Sequence, residues 1–324
     1  MKSNNQIFLL ILLVILHFIL LAPNISLNHI PLAYSQNQSA SFQAEAEALD
    51  DMPTRKVTIG DIEIAYKQLR EGGAKPIVLI TGLGATMDMW SPLLLEQLTS
   101  SNYSVTIFDN RGAGESTAGT KEFSISQFAN DTAGLLDALN ITKADILGFS
   151  MGSFIAQELT LENPEKVDKL ILYASSCGSN ESKPASPKVD QALSNPSVSP
   201  EEQMRKTIPL LFPTSWFKAN PNYTNYLPIP KELVSLDIVG KQANAAVEWF
   251  QTGSCNTISN ITKPTLIIVG SDDPFTQAFN SLILAQRISG SWLVQVGNAG
   301  HGLMYQYPDA FNRLVLTFLE IGNS

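Results

Sequence analysis

The feature that most restricts the fold of this chain is a repeated alternation of short apolar runs with amphipathic helical patterns. The runs at 76–81 and 264–270 are almost continuously apolar, as in strands covered on both faces of a parallel sheet. In the segment 124–140, apolar residues instead recur at helical spacings. A turn signal at Gly60-Asp61 between two alternating segments adds an antiparallel hairpin. The sequence therefore predicts an α/β fold, a mostly parallel eight-stranded sheet with helices on both faces.

One long region contains no strand-like run. Residues 178–262 begin with a loop-like stretch rich in Ser, Pro and Asn, and a helix start follows at 199–202, where a Ser cap precedes Pro and two acids. A second helical pattern covers 238–250. We therefore predict a helical lid at 178–262, inserted between the core segments 55–177 and 263–324.

The N-terminus predicts an export signal. Lys2 precedes an apolar run at 7–22, which is short for a spanning helix of roughly 20 residues. Ala-Tyr-Ser at 33–35 offers a cleavage site, so residues 1–35 are interpreted as a signal peptide. The polar stretch 36–54 is predicted to be a flexible leader. We expect an extracytoplasmic or secreted protein; an uncleaved segment that associates with the membrane is the alternative.

The net charge restricts the possible binding partners, and the cysteines raise the question of a disulfide. The net charge of −9 argues against a nucleic-acid partner, because phosphate binding requires a basic face. The two cysteines, Cys177 and Cys255, bracket the predicted lid and could pair in an oxidising compartment. The alternative is that both are small apolar residues with free thiols, and the sequence leaves this choice open.

A serine stands between two glycines where a predicted strand meets a predicted helix. The pattern Gly-x-Ser-x-Gly at 148–152 is typical of a nucleophile elbow, a turn so tight that it needs small residues on either side of the serine. It places the serine oxygen at the carboxyl edge of the sheet and at a helix N-terminus, where developing negative charge is favoured. Ser150 is therefore the candidate nucleophile.

A nucleophilic serine needs a base, and the base needs an acid. The chain has three histidines, and His17 and His29 lie in the predicted signal segment, which leaves His301. It follows the last strand, in keeping with the chain order Ser, Asp, His. The loop after the strand 264–270 offers Asp273, preferred here, and Asp272. A single histidine also excludes a zinc site of the HExxH type, which needs two.

Several motifs in this order make the chain resemble the α/β-hydrolase superfamily, in the branch with a helical lid. They are "TGLG" (81–84), "DNRGAGES" (109–116), "GFSMG" (148–152), "GSDDP" (270–274) and "GHG" (300–302). By this resemblance, the backbone N–H groups of Leu83 and Met151 form the oxyanion hole. Thr81 stands where many members carry histidine. Asp109 and Arg111 are expected to hold loops rather than to touch substrate.

The leading functional prediction is a carboxylic ester hydrolase that acts through Ser150, His301 and Asp273, with a small-molecule substrate and no cofactor or metal. An amidase, a peptidase or a carbon–carbon bond hydrolase could use the same three residues. A secreted binding protein with an inactive hydrolase pocket is the non-enzyme alternative.

Apolar residues in the lid and after the oxyanion loop favour a small or medium apolar substrate, unless they form only the packed interior. They are Met87, Met89, Trp90, Leu210, Leu211, Phe212, Trp216 and Phe217.

Overall fold

The computed structural model of the protein describes residues 36–72, 74–193, 199–228 and 230–321. The predicted signal peptide, 1–35, lies outside these residues. In the described ranges, no helix combines the length and the apolar character needed to cross a bilayer.

One eight-stranded sheet forms the centre of the molecule, in the order β1-β2-β4-β3-β5-β6-β7-β8. The strands are β1 (Arg55–Ile59), β2 (Ile62–Leu69), β3 (Lys75–Ile80), β4 (Tyr103–Phe108), β5 (Ala144–Phe149), β6 (Val167–Tyr173), β7 (Thr265–Gly270) and β8 (Trp292–Val296). β1 and β2 form the predicted hairpin, and β2 runs antiparallel to β4. The remaining pairs are parallel, which confirms the predicted fold class.

Eleven α-helices lie within the described residues. They are α1 (Gln36–Asp51), α2 (Pro92–Ser100), α3 (Ile125–Ala138), α4 (Met151–Glu162), α5 (Pro187–Leu193), α6 (Pro200–Thr207), α7 (Thr214–Ala219), α8 (Leu236–Thr252), α9 (Ala278–Arg287), α10 (Leu303–Gln306) and α11 (Pro308–Glu320). The predicted start of α6 is confirmed, since the Ser199 hydroxyl accepts a hydrogen bond from the backbone N–H of Glu202 and Pro200 opens the helix.

The two faces of the sheet carry separate apolar clusters. On one face, Val78 and Ile80 of β3 belong to a cluster with side chains of α3, α4 and α9. On the other face, Ile77 and Leu79 pack with side chains of α2 and α11. Because successive strand residues point to opposite faces, a continuously apolar strand supplies both clusters. The sheet is thereby buried on both sides, and its strand ends are left to carry polar residues.

Helices fill the chain between β6 and β7. The described residues there form α5, α6, α7 and α8 and no strand. The two ends of this insertion meet at a disulfide between Cys177 and Cys255, whose Cα atoms lie 4.8 Å apart. Gly178 and Gly253 touch beside it, and a Cβ on Gly253 would lie 2.0 Å from the Cys177 carbonyl oxygen. The pairing that the sequence left open is thus present, and it closes the insertion at its base.

The leader at 36–54 is not the flexible segment that its polar composition predicted. Residues 36–51 form helix α1, which buries Phe42 and Leu49 and packs beside α2. The Nζ atom of Lys67, a residue only 1% exposed, donates to the Leu49 carbonyl at 2.8 Å. Ala and Glu are good helix formers, so this stretch has helical propensity despite its low hydrophobicity.

Candidate active site

Ser150 occupies a strained turn between β5 and α4. Its φ is 55°, in the left-handed region that non-glycine residues seldom adopt, and its backbone N–H donates to the Tyr173 carbonyl at 3.0 Å. The flanking glycines are required by close packing. A Cβ on Gly152 would lie 2.1 Å from the Ile80 carbonyl oxygen, and one on Gly148 would lie 2.3 Å from the Gly152 oxygen. The serine therefore stands at the carboxyl end of β5, as the elbow pattern predicts.

His301 and Asp273 meet at the same edge of the sheet. Nδ1 of His301 donates to Oδ2 of Asp273 at 2.7 Å, and both side chains are buried. The carboxylate also accepts hydrogen bonds from the backbone N–H groups of Phe275 and Thr276 and from the Thr276 hydroxyl. Asp272, the other carboxylate considered, is exposed and contacts Ser271 instead. A histidine held through Nδ1 keeps Nε2 as its proton acceptor.

Aromatic contacts bring His301 next to the serine turn. Its ring lies between Phe149, which directly precedes Ser150, and Phe275, with ring centroids 4.9 Å and 4.6 Å away. Among the described residues, no direct hydrogen bond joins Ser150 to His301. Catalytic hydrogen bonds are often long before substrate binds and tighten in the substrate complex.

Tyr173 supports both halves of this arrangement. Its carbonyl accepts from Ser150 N–H, its hydroxyl donates to the His301 carbonyl, and its ring stacks on Phe149 with centroids 4.7 Å apart. Burial raises the pKa of Tyr173 well above its ordinary value, so the hydroxyl remains a donor. Sequence reasoning did not single out this residue, because a tyrosine at the end of a buried strand carries no motif.

The helical insertion lies directly against the histidine loop. The backbone N–H of Gly302 donates to the Leu211 carbonyl at 2.8 Å. A Cβ on Gly300 would lie 2.4 Å from that same oxygen. The two glycines around His301 are therefore explained by the close approach of the insertion, which fixes the loop that holds the base.

The segment Gly82–Ala85 forms a tight turn opposite the elbow. The Ala85 N–H donates to the Gly82 carbonyl at 3.4 Å. Among the described residues, neither Leu83 N–H nor Met151 N–H donates to a protein acceptor. Gly82 brings the turn close to the nucleophile, since a Cβ there would lie 3.1 Å from Cβ of Ser150. Both predicted oxyanion donors thus belong to backbone segments that flank the serine.

Thr81 gives the turn the support that a histidine would supply elsewhere in the superfamily. Its hydroxyl donates to the Ala85 carbonyl and accepts from Nδ2 of Asn110 at 3.2 Å. Gly84 N–H donates to Oε1 of Gln242 on α8 at 2.8 Å. Sequence reasoning also missed Gln242, because its contact joins residues 158 positions apart in the chain.

Asp109 and Arg111 hold loops, as predicted. The Asp109 carboxylate accepts from the backbone N–H groups of Met87 and Glu115, and burial raises its pKa to about 6. The Arg111 guanidinium donates to the carboxylates of Asp131 and Asp61. These contacts tie the loop after β4 to its neighbours and leave both side chains fully engaged.

A chain of buried hydrogen bonds lies beneath the elbow. The Ser153 hydroxyl donates to the Ser150 carbonyl at 2.5 Å, and the Ser175 hydroxyl lies 2.7 Å from Ser153 Oγ. Nε2 of Gln157 donates to Ser175 Oγ, and Oε1 of Gln157 accepts from the Ser254 hydroxyl next to the disulfide. Because every member has a partner, this network rigidifies the base of the turn.

Half of the eight apolar residues considered as a pocket lining are buried in the interior. Met87, Trp90, Phe212 and Trp216 are buried in the cluster that α2 and α11 share. The Phe212 and Trp216 rings stack with centroids 4.3 Å apart. The partly exposed members of the set are Met89, Leu210, Leu211 and Phe217.

Comparison with known proteins gives a consistent assignment. Residues 75–217 match the family model described as "alpha/beta hydrolase fold", and residues 242–324 match the model described as "TAP-like protein". The chain is 27% identical over 261 residues to a putative non-heme bromoperoxidase, BpoC, of Mycobacterium tuberculosis, covering 79% of this chain and 97% of that protein. It is 26% identical over 268 residues to 3-oxoadipate enol-lactonase 2 of Acinetobacter baylyi, covering 80% and 94%.

Among solved structures, an alpha/beta hydrolase fold protein from Chitinophaga pinensis superimposes with a TM-score of 0.71 at 24% identity, covering 84% of this chain and 98% of that chain. At this identity the likeness concerns the fold. The sheet order, the elbow, the Asp–His pair and the matching family models agree with one another. The chain belongs to the α/β-hydrolase superfamily.

Proposed function

We propose that the protein hydrolyses carboxylic esters through Ser150, His301 and Asp273. The observation that carries the proposal is the buried hydrogen bond between His301 and Asp273 at the sheet edge where the strained Ser150 turn emerges. Nucleophile, base and acid occur in the chain order of this superfamily. The enol-lactonase relative, whose name describes cleavage of a cyclic ester, is consistent with ester chemistry.

In the proposed reaction, His301 Nε2 accepts the proton of the Ser150 hydroxyl as its oxygen attacks the ester carbonyl. Asp273 stabilises the imidazolium that forms and keeps the ring oriented. The oxyanion of the tetrahedral intermediate accepts hydrogen bonds from the N–H groups of Leu83 and Met151. His301 then protonates the departing alcohol, and a water molecule that His301 activates in turn releases the acid from Ser150.

We propose a small or medium ester with an apolar acyl or alkyl part as the substrate. Support for this comes from two partly exposed apolar residues: Met89 follows the oxyanion turn in sequence, and the Leu211 carbonyl contacts the histidine loop at Gly302. In a p-nitrophenyl ester series, each buried methylene should contribute up to about 0.8 kcal/mol until the pocket is full. kcat/KM should therefore rise and then fall with acyl length; a flat series, or faster turnover of amides, would contradict the proposal.

The catalytic assignment is tested with Ser150→Ala. We expect turnover to fall by about 10⁴-fold or more while the unfolding curve stays that of the wild type. A fluorophosphonate should label the wild type at Ser150 and leave the variant unlabelled. The labelling experiment distinguishes an enzyme from a binding protein. A wild type that is neither labelled nor active would favour a binding protein.

We also propose that the protein acts outside the cytoplasm after removal of residues 1–35. The disulfide between Cys177 and Cys255 supports this, because such bonds persist in oxidising compartments. Mass spectrometry of protein from its native source should find an N-terminus near Gln36. A full-length chain recovered from the cytoplasm would refute export, and a full-length chain in the membrane fraction would identify the uncleaved alternative.

A further inference from the structure

We propose that Ser153, on the first turn of α4, is a positioning residue that orients the N–H group of Met151. The proposal rests on the proposed function, because this N–H is one of the two donors of the oxyanion hole in that reaction. It assigns a part in catalysis to a fully buried hydroxyl beneath the nucleophile. Three features support it: the peptide that Ser153 holds, the strain at Ser150, and the direction of the hydrogen bonds beneath the elbow.

One peptide group carries both the acceptor for Ser153 and the oxyanion donor. The Ser150 carbonyl and the Met151 N–H belong to the same planar trans peptide, so they point in opposite directions. The carbonyl accepts from the Ser153 backbone N–H at 2.8 Å and from the Ser153 hydroxyl at 2.5 Å. Both bonds draw the carbonyl into the first turn of α4. Whatever fixes the carbonyl also fixes the N–H, which therefore points out of the N-terminal end of the helix.

Strain at Ser150 gives the second of these bonds a purpose. Ser150 has a φ of 55° and a ψ of −122°, a conformation that persists only where the surrounding structure holds it. Rotation about ψ of Ser150 would relieve the strain, and the same rotation would swing the peptide and turn the Met151 N–H. Any residue except proline at 153 would supply the backbone bond. The hydroxyl adds a second bond against the rotation, and neither glycine nor alanine could supply it.

The protons of the buried network all point toward the elbow. The Ser150 carbonyl only accepts, so the short contact from Oγ of Ser153 uses the one hydroxyl proton of that residue. The Ser175 hydroxyl must then donate to Oγ of Ser153, 2.7 Å away, and it accepts in turn from Nε2 of Gln157 at 2.9 Å. The amide of Gln157 is oriented independently, because Nε2 also lies 2.9 Å from the carbonyl of Ser176, which only accepts.

This alignment strengthens the last bond of the chain. Hydrogen bonds that run in one direction polarise one another, so the hydroxyl of Ser153 is a better donor than an isolated one. The far end of the chain is fixed as well. Oε1 of Gln157 accepts from the Ser254 hydroxyl at 2.6 Å, and the Ser254 N–H donates to the carbonyl of Cys177 at the disulfide. The hydroxyl of Ser153 therefore has a single direction, toward the carbonyl of the nucleophile.

Packing alone does not explain a serine at this position. Its surroundings are closely packed, since a Cβ on Gly148 would lie 2.7 Å from Cα of Ser153. Alanine would fill nearly the same volume without burying a hydroxyl, which is unfavourable unless the hydroxyl forms hydrogen bonds. Ser153→Ala is therefore a nearly isosteric change that removes the second bond to the carbonyl.

The test compares Ser153→Ala with the wild type on a p-nitrophenyl ester and on the matching thionoester. Sulfur accepts hydrogen bonds weakly, so the thionoester depends less on the oxyanion donors. Removal of one oxyanion donor costs about 10²–10³-fold, and a donor that is retained but less firmly oriented should cost less. We expect kcat on the ester to fall by roughly 10-fold with KM within about twofold, and kcat on the thionoester to stay within about twofold.

Covalent labelling gives the same comparison without turnover. Phosphonylation of Ser150 by a fluorophosphonate should slow by a similar factor in Ser153→Ala, whereas labelling by the analogue with P=S in place of P=O should keep nearly its wild-type rate. Ser281→Ala is the matched control, because Ser281 is a buried serine on α9 whose hydroxyl has no partner among the described residues. It should match the wild type on every substrate and reagent.

Ser175→Ala supplies the second variant and leaves the elbow residues unchanged. It removes the donor behind Ser153, so kcat on the ester should fall by roughly 3-fold and kcat on the thionoester should not. In the Ser153→Ala background the same change should add nothing, because the hydroxyl through which it acts is gone. If Ser153→Ala does not fold, the ratio of ester to thionoester rates in Ser175→Ala decides the question.

Three results would overturn the inference. Equal losses on ester and thionoester would show that the hydroxyl of Ser153 supports the nucleophile or the fold rather than the oxyanion donor. Wild-type kcat and labelling rate in Ser153→Ala would show that the backbone bond suffices. Additive losses in the double variant would show that Ser175 does not act through Ser153.

These outcomes are distinct from failure of the proposed function. If the wild type labels at Ser150 but does not turn over esters, the ester assignment fails and the labelling rates of the two reagents still test Ser153. If the wild type neither labels nor turns over substrate, the proposed function fails and the inference fails with it.

Discussion

A single buried carboxyl group at the far end of β5 gives the molecule a pH dependence that is separate from catalysis. Asp145 is 2% exposed, and its Oδ1 atom has no partner among the described residues. Burial raises its pKa from 3.8 to about 6, with a further increase from Asp168, while Lys75, Lys169 and a hydrogen bond to the backbone oppose it. Between pH 3.8 and about 6, the folded protein binds this proton more tightly than the unfolded chain does. The free energy of unfolding therefore falls as pH rises through this range and stays level above it.

We therefore expect Asp145→Asn to gain stability relative to the wild type as pH rises from about 4 to about 6. The pKa difference corresponds to a gain of up to about 3 kcal/mol. Urea unfolding of both proteins at several pH values measures it. Asp168→Asn is the control, because Lys143 lowers the pKa of Asp168 and its contribution is lost as pH falls instead. A constant difference between Asp145→Asn and wild type across the range would contradict the expectation.

At the scale of elements, helix α1 packs against the rest of the described chain through a few buried contacts. It supplies the buried side chains of Phe42 and Leu49 and the acceptor for Lys67. Lys67 also pairs with Asp88, in the segment that follows the oxyanion turn. Loss of α1 would therefore expose apolar surface and leave a buried ammonium group with one distant partner.

We predict that a chain beginning at Pro53 is less stable than one beginning at Gln36. Two buried apolar side chains contribute roughly 1.5–3 kcal/mol each before the entropy of ordering the helix is subtracted, so the net loss should be a few kcal/mol. Thermal and urea unfolding of the two chains measure it, and Lys67→Met in the shorter chain should restore part of the loss by removing a charge that has lost its Leu49 acceptor. Equal melting temperatures would show that α1 is only docked loosely.

The elements that sequence alone predicted are those with a local signal. The helix start at Ser199 and the serine turn at 148–152 each follow from short-range backbone requirements, and the structure shows both. Helix α1 could not be predicted in this way, because its two buried side chains give little periodicity and its stability comes from partners such as Lys67. Gln242 and Tyr173 depend on contacts with residues distant in sequence, which no local pattern encodes.

For the whole molecule, the disulfide is the covalent constraint that joins the insertion to the core. Cys177 and Cys255 are 78 residues apart in sequence, and a closed loop of that length stabilises by about 4 kcal/mol on the chain-entropy model. We expect the double variant Cys177→Ser/Cys255→Ser to lose stability of this order in urea unfolding. Reductant in the denaturant should bring the wild type to the midpoint of the variant and leave the variant unchanged. Two free thiols in protein from its native compartment would refute this expectation.

The narrow base of the insertion has a consequence for how proteins of this architecture diversify. The chain leaves and re-enters the core at one point, where the Cα atoms of Cys177 and Cys255 lie 4.8 Å apart. The insertion is therefore connected to the core in the same way as a short surface loop. Such a segment can be exchanged for another without altering the sheet. A replacement would have to re-create the contacts with the site loops. These include the hydrogen bonds from Gly302 N–H to the Leu211 carbonyl and from Gly84 N–H to Oε1 of Gln242. Recombination that exchanges this one segment would then change the substrate specificity and leave the catalytic residues in place.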